Sequence, residues 1–152
     1  MEEHEKWMTA ALREAEKAFT KDEIPVGAVV VFEGKIIGRG HNLVETLQDP
    51  TAHAEMLAIT AAANSLASWR LNNTILYTTL EPCPMCAGAI ILSRIPMVVF
   101  GTSDQRMGAC GSVENLLQRE SLNSDVKVFS GILQAQCSEI MRVFFEKLRN
   151  KE

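Results

Sequence analysis

The apolar positions of this chain follow two different periods, and each period predicts a different kind of element. In residues 4–20 an apolar side chain recurs at every fourth position, which is typical of an amphipathic helix. These positions are Trp7, Ala11, Ala15 and Phe19. Residues 26–32 form a β-branched run typical of a buried strand, and Glu33-Gly34 is a turn signal before a second predicted strand at 35–40. We therefore expect a first helix followed by a β-hairpin.

After the hairpin, the pattern predicts strands that alternate with helices. Three further strands are expected, at residues 74–80, 97–101 and 126–129. Helices are expected at residues 51–66, 84–94, 112–119 and 134–149, the first of them capped by Asp49 or Thr51. Loops are expected at residues 41–48 and 102–111. This order predicts one α/β domain over residues 1–152, with a mixed five-stranded sheet and helices on both of its faces.

The composition excludes several classes of protein. Hydrophobic residues make up 47% of the chain and charged residues 22%, which is ordinary for a globular protein. No apolar run approaches the roughly 18 residues that span a membrane. Residues 1–5 are acidic and lead into the first predicted helix, unlike a secretory signal peptide. We therefore expect a cytoplasmic protein without a membrane partner.

The charge is unevenly distributed along the chain. The formal net charge of −4 argues against a broad basic surface for nucleic acid. Residues 1–23 carry seven acidic and four basic side chains, whereas residues 142–151 carry four basic side chains and one acidic one. A local basic patch near the C-terminus is the most that this pattern predicts.

Two of the four cysteines are spaced as metal ligands or as a redox pair. Cys83 and Cys86 lie three positions apart at the start of a predicted helix, whose N-terminus favours thiolates. Pro84 suits the first turn of that helix because its missing N–H would have no partner there. The other two, Cys110 and Cys137, have no such spacing and are expected to be buried small apolar residues.

A histidine and a glutamate upstream complete a set of groups that suits catalytic zinc. Such a site combines three protein ligands with one water, and His53, Cys83 and Cys86 supply three ligands of the right type. Glu55 follows His53 by two positions, from where it can exchange protons with that water without binding the metal.

Each of these features has a plainer interpretation when it stands alone. A single Cys-x-x-Cys is also typical of a structural zinc knuckle or of a thioredoxin-like redox pair. A histidine at a helix start is often a cap or a core residue, and a glutamate there is often a partner of the helix dipole. The combination of His-x-Glu with Pro-Cys-x-x-Cys, however, is the signature of zinc-dependent nucleobase deaminases, of which tRNA adenosine deaminases are one known example.

Over nearly its whole length the chain resembles the bacterial tRNA-specific adenosine deaminases of the cytidine-deaminase-like superfamily. The segments that carry the resemblance are 24–29, 40–42, 49–55, 79–83, 85–89, 93–95, 98–101, 108–112 and 144–145. The His-x-Glu and cysteine motifs are shared by the superfamily, whereas segments 108–112 and 144–145 point to the tRNA branch. The resemblance implies a three-layer cytidine-deaminase-like fold.

The resemblance also implies an activity and a partner. One zinc ion per subunit would be held by His53, Cys83 and Cys86, with Glu55 as the proton shuttle. Water activated by this zinc would attack C6 of adenosine at the wobble position of a tRNA anticodon and yield inosine. The enzyme would be a homodimer, with the RNA loop lying across both subunits.

Further residues would hold the substrate if the resemblance extends to them. Asn42 would hydrogen-bond the purine, and the backbone at Ala54 would help to position it. The base pocket would be lined by Pro25, Val26, Leu80 and Pro82. The neighbouring nucleotides would contact Asp104, Phe144 and Phe145. Family members often carry a strongly basic C-terminal extension, which this chain lacks, so weaker phosphate contacts are expected.

Plainer alternatives stay open at this point. Asn42 could be a turn residue, Asp104 could cap a helix, and Pro25, Val26 and Leu80 could belong to the core. Adjacent phenylalanines on a helix point about 100° apart, so one could pack while the other is exposed. A deaminase of free guanine or cytosine, a non-catalytic zinc-stabilised RNA-binding subunit and a redox protein are the rival functions.

Overall fold

In this computed structural model, which describes residues 2–151, a five-stranded sheet forms the centre of the molecule. The strands are β1 (Gly27–Phe32), β2 (Lys35–His41), β3 (Thr74–Leu80), β4 (Met97–Thr102) and β5 (Lys127–Ser130). Their order across the sheet is β2-β1-β3-β4-β5. β1 is antiparallel to β2 and β3, whereas β4 runs parallel to both of its neighbours, β3 and β5. The predicted mixed sheet is confirmed.

Helices cover both faces of this sheet. They are α1 (Glu2–Thr20), α2 (Val44–Leu47), α3 (Ala54–Leu66), α4 (Pro84–Leu92) and α5 (Gln134–Asn150), with a 3-10 turn at Glu120–Leu122. Alternate residues of β1 divide the core between the faces: Val29 and Val31 pack with α1, and Ala28 and Val30 pack with α3 and α4. The three-layer arrangement is therefore confirmed. Within residues 2–151, no helix combines the length and the hydrophobicity of a membrane span.

Small residues let α3 approach the sheet edge closely. Ala54, Ala58 and Ala62 lie along the face of α3 that meets β2, and all three are fully buried. A side-chain carbon at Gly40 would overlap the backbone of Ala54 and Ala58. The position of α3, and with it the position of residues 53–55, therefore depends on a bare backbone at Gly40.

Three local predictions were wrong. Residues 112–119 are not a helix, because their backbone N–H groups bond to the preceding loop, as from Val113 to Gly108 and from Leu116 to Ala109. Segment 41–48 is not all loop, since it contains α2. The third helix starts at Ala54 rather than near residue 51. The expected cap residues instead pair with each other, as the carboxylate of Asp49 accepts bonds from the backbone and hydroxyl of Thr51.

The two isolated cysteines occupy the core, as expected. Cys110 is 8% exposed and packs in the cluster beneath α3 and α4. Cys137 is fully buried on the α1 face, against Gly101. Burial raises the pKa of Cys137 to about 12, which keeps this thiol protonated and unreactive.

Candidate zinc centre and substrate cleft

Two helix starts meet at the proposed zinc centre. His53 precedes α3 and Cys83 precedes α4, and both residues have extended backbones with φ near −77°. Pro84 is the first residue of α4, as predicted, and Cys86 lies within the first turn. An extended residue directly before a helix projects its side chain from the helix end, so these ligands converge between the two N-termini.

The nitrogen–sulfur separations among the three side chains match those around a tetrahedral zinc ion. His53 Nδ1 lies 3.5 Å from Cys83 Sγ and 3.6 Å from Cys86 Sγ. All three candidate ligand atoms lie within 4.8 Å of one another. Zinc bonds of about 2.3 Å to sulfur and about 2.05 Å to nitrogen, at tetrahedral angles, separate N from S by about 3.55 Å. Both nitrogen–sulfur distances therefore fit a zinc ion, and the third pair lies within 4.8 Å.

The electrostatics of these groups favour a bound cation. The hydrogen bond from Cys86, together with one from His53, lowers the pKa of Cys83 to about 4 despite its burial. In return, the bond with Cys83 raises the pKa of His53 and drives the pKa of Cys86 far upward. Cys83 is thus the group of this site that most readily forms a thiolate. A divalent cation can replace the protons that the three groups share.

Glu55 lies beside this centre in the first turn of α3. Its side chain is only 4% exposed and contributes to the wall of the adjoining cleft. Burial, reinforced by the charge of Cys83, raises the pKa of Glu55 to about 7. A carboxyl group with such a pKa can both accept and release a proton near neutral pH.

A cleft of about 800 Å³ opens over the zinc centre. It brings together most of the residues expected from the sequence, which are Val26, Asn42, His53, Ala54, Glu55, Leu80, Cys83, Asp104, Phe144 and Phe145. Cys86 is fully buried behind His53 and does not border the cleft. Pro25 and Pro82 are also buried, but neither borders the cleft.

Asn42 combines the two roles that the sequence left open. Its Oδ1 accepts a bond of 3.3 Å from the backbone of Val44, and its Nδ2 donates to the Ile24 carbonyl. These contacts make it a turn residue, yet the side chain also borders the cleft. After these two contacts, Nδ2 still has one hydrogen and Oδ1 still has one lone pair with which to bind a ligand.

The expected contacts to neighbouring nucleotides lie on two separate elements. Asp104 Oδ1 accepts bonds from the backbone of Arg106 and Met107, so it caps a turn rather than a helix. Phe144 is 8% exposed and Phe145 is half-buried, and their rings meet edge to face at 5.3 Å. One phenylalanine thus packs more deeply than the other, but both border the cleft.

Several cleft residues were missed by the sequence reasoning. Three apolar ones, Ile24, Met107 and Leu148, are 41%, 54% and 45% exposed. Two acidic ones, Glu23 and Glu81, are buried instead. Their position in the sequence could have identified these two acidic residues. Glu23 stands directly before segment 24–29, and Glu81 stands directly before Pro82.

Comparisons with known proteins agree with this geometry. The family described as the cytidine and deoxycytidylate deaminase zinc-binding region matches residues 1–102. The tRNA-specific adenosine deaminase of Bacillus subtilis is 50% identical over 152 residues, covering 100% of this chain and 94% of the relative. The same-named protein of Aquifex aeolicus is 50% identical over 146 residues, covering 96% of each chain.

Solved structures extend the comparison. A structure from work on A-to-I editing by tRNA:A34 deaminases superposes with a TM-score of 0.86 at 39% identity, covering 89% of this chain and 98% of the other. A guanine deaminase from Nitrosomonas europaea gives a TM-score of 0.80 at 27% identity, covering 92% and 83%. Identity is therefore higher to the tRNA deaminase than to the guanine deaminase. The chain belongs to the zinc-dependent deaminases, within the family of tRNA-specific adenosine deaminases.

Proposed function

We propose that this protein hydrolyses adenosine to inosine at the wobble position of a tRNA anticodon, with zinc held by His53, Cys83 and Cys86. The observation that carries the proposal is the buried Glu55 carboxyl, which borders the cleft together with His53 and Cys83. When bound, zinc supplies a water whose pKa falls to about 7. The relatives named tRNA-specific adenosine deaminase support adenosine in tRNA as the substrate.

Glu55 is the group that moves protons in this proposal. Its carboxylate accepts a proton from the attacking water and delivers it to the amino nitrogen that leaves C6 as ammonia. The high pKa of Glu55 suits both halves of this transfer. Glu55 is only 4% exposed, which limits the access of bulk water to this proton.

The cleft suits a base that has left its stack. Val26 and Leu80 offer apolar surface to the ring, and the Asn42 amide offers hydrogen bonds to its edge. A volume of about 800 Å³ exceeds what one base fills, so there is room for neighbouring nucleotides against Asp104 and the Phe144–Phe145 pair. Stacking on aromatic rings compensates in part for the absence of a broad basic surface.

We also infer that two copies of the chain associate, and that the enzyme acts in the cytoplasm on its tRNA. Helix α4, which carries Cys86, contains no charged residue. Leu92 at its end is 73% exposed, and Met85 and Ala89 are partly exposed. A second copy that covers this uncharged helix would remove apolar surface from water. Sedimentation or light scattering of the zinc-loaded protein tests the dimer.

The activity is tested with an anticodon stem-loop that carries adenosine at the wobble position. Incubation with the zinc-loaded protein should produce inosine, detected after nuclease digestion and chromatography. A stem-loop with guanosine at that position is the matched control. A fully zinc-loaded sample that forms no inosine would contradict the proposal. Ammonia release from free guanine or cytosine, without inosine in the stem-loop, would instead indicate a free-base deaminase.

A further inference from the structure

Two buried carboxylates that the proposed chemistry does not use border the cleft. Glu23 lies just after α1 and is 1% exposed, and Glu81 follows β3 and is 2% exposed. Among residues 2–151, no lysine, arginine or histidine nitrogen lies within 4.0 Å of either carboxylate. Both charges are therefore compensated by neutral donors.

Glu23 binds the backbone of one rim of the cleft. We define the first rim as residues 43–49, which include α2 and contribute Val44 and Glu45 to the cleft wall. Glu23 Oε1 accepts a bond of 3.1 Å from the N–H of Glu45, and Oε2 accepts one of 2.6 Å from the N–H of Thr46. Each carboxylate oxygen thus holds one rim amide.

Glu81 binds the backbone of another rim in the same way. We define the second rim as residues 103–112, which contribute Asp104 and Met107 to the cleft wall. The carboxylate accepts bonds from the N–H groups of Asp104, Cys110 and Ser112 at 2.9–3.1 Å, and from the Ser112 hydroxyl at 2.5 Å. A side-chain carbon at Gly108 would overlap the Glu81 carboxyl group, so the rim closes tightly around it.

We propose that Glu23 and Glu81 are positioning residues of the deaminase, each holding one rim of the cleft in the conformation that receives the RNA. The proposal rests on the proposed function. A carboxylate only accepts hydrogen bonds, and its charge makes each bond from an amide stronger than a neutral one. A loop that is tied by such bonds does not have to be ordered when the substrate binds.

General stability is a weaker explanation for these two residues. A buried charge is expensive to desolvate, and well-packed apolar side chains often stabilise a fold as well or better. What an apolar side chain cannot do is bind several amides of one loop at once. Because both carboxylates bind rim amides, their effect should appear in substrate binding more than in the chemical step.

The test compares Glu23→Gln and Glu81→Gln with the parent protein in zinc-loaded form. In each variant an NH₂ group replaces one acceptor oxygen and faces rim N–H groups, so bonds are lost without a change in size. The KM for the stem-loop should rise about tenfold, while kcat stays within about twofold of the parent. Glu16→Gln, the same change at an exposed position of α1, is the control and should alter neither parameter.

Hydrogen exchange locates the effect without any substrate. Glu23→Gln should speed exchange in the first rim alone, and Glu81→Gln should speed it in the second rim alone. These measurements test the rim contacts even if the parent forms no inosine, so failure of the proposed function stays distinguishable. An unchanged KM, unchanged rim exchange, or an equal loss of kcat and zinc would overturn the proposal.

A milder variant covers the case in which Glu81→Gln does not fold. Ser112→Ala removes only the hydroxyl bond to Glu81 and keeps every backbone donor of the second rim. We expect the KM to rise about threefold with kcat and zinc content retained. A KM equal to that of the parent in this folded variant would contradict the role of Glu81.

Discussion

The zinc centre and the rims of the cleft are held in place by different interactions. The ligands His53 and Cys83 directly precede helices that pack on the sheet, so regular secondary structure fixes them. The rims are mostly irregular segments, and single carboxylates hold them through backbone amides. The proposed zinc ligands are thus fixed by the core of the fold. The rims proposed to receive the substrate are loops whose conformation depends on local contacts.

Zinc removal should produce the largest effect and should separate the two regions most clearly. A strong chelator is expected to abolish inosine formation, and added zinc should restore it, because no other group acidifies the attacking water. Hydrogen exchange in the rims should stay unchanged, since none of their anchoring bonds involves a zinc ligand. Turnover by metal-free protein, or faster rim exchange after zinc removal, would show that the two regions are not independent.

Replacing Glu55, the proposed proton shuttle, should have the next largest effect. Glu55→Gln keeps the shape of the side chain but cannot carry a proton, so kcat should fall by about 10²–10⁴-fold. Zinc content, measured by atomic absorption, should stay at the parent value because Glu55 is not among the three candidate ligands. Glu33→Gln, in the exposed hairpin turn, is the matched control. A variant with parent-like kcat would exclude Glu55 from catalysis.

The aromatic wall of the cleft should affect binding by an intermediate amount. Stacking of a base on an aromatic ring contributes about 1–3 kcal/mol, so Phe145→Leu should raise the KM for the stem-loop by about 5–150-fold. The control is Phe129→Leu on the edge strand β5, where the ring is 46% exposed and does not border the cleft. Steady-state kinetics with both variants measures this effect. Equal KM values for the two variants would show that Phe145 does not contact the substrate.

The smallest expected effect is a pH dependence of the first rim. Burial alone would raise the pKa of Glu23, but the bonds from Thr46 and Glu45 outweigh it and hold the pKa below the ordinary value of 4.5. A lowered folded-state pKa means that Glu23 stabilises the fold fully above about pH 4.5 and loses this contribution as the pH falls through the folded value.

This contribution can be measured by urea unfolding at several pH values. The parent should be more stable than Glu23→Gln by about 1 kcal/mol at neutral pH. The difference should shrink as the solution is acidified below about pH 4.5, because protonation then removes the charge that the amides stabilise. A difference that stays constant or grows at low pH would contradict the sign of the shift.

The sequence predicted the zinc centre better than the rims, and the reason is physical. His53, Glu55, Cys83 and Cys86 carry side-chain chemistry at fixed spacings, and the helices that position them were predicted to within three residues of their observed starts. The rims instead bond through backbone N–H groups, which every residue except proline has, so no residue type marks them. Segment 112–119 was wrongly predicted as a helix for the same reason. Its backbone N–H groups bond to carbonyl groups of the preceding loop and not to those of a helical turn of its own.

The substrate residues were expected from the family resemblance rather than from the residue pattern. Asn42, Leu80 and Asp104 lie next to predicted strand ends, and the structure brings all three to the cleft. Ile24, Met107 and Leu148 were missed because an apolar side chain in a sequence indicates a core position more readily than an exposed wall. Burial, which distinguishes the two cases, follows only from the three-dimensional packing.

Anchoring each rim by one carboxylate has a consequence for protein engineering. The amides that Glu81 holds all belong to residues 104–112, and none belongs to residues 105–107, so this tip can vary while its anchor stays unchanged. Libraries that vary the tip at residues 105–107, while Glu81, Gly108 and Ser112 are kept, would diversify substrate preference without touching the zinc ligands. Selection for new target bases should therefore yield folded, metal-loaded clones at a higher frequency than random mutagenesis of the whole domain.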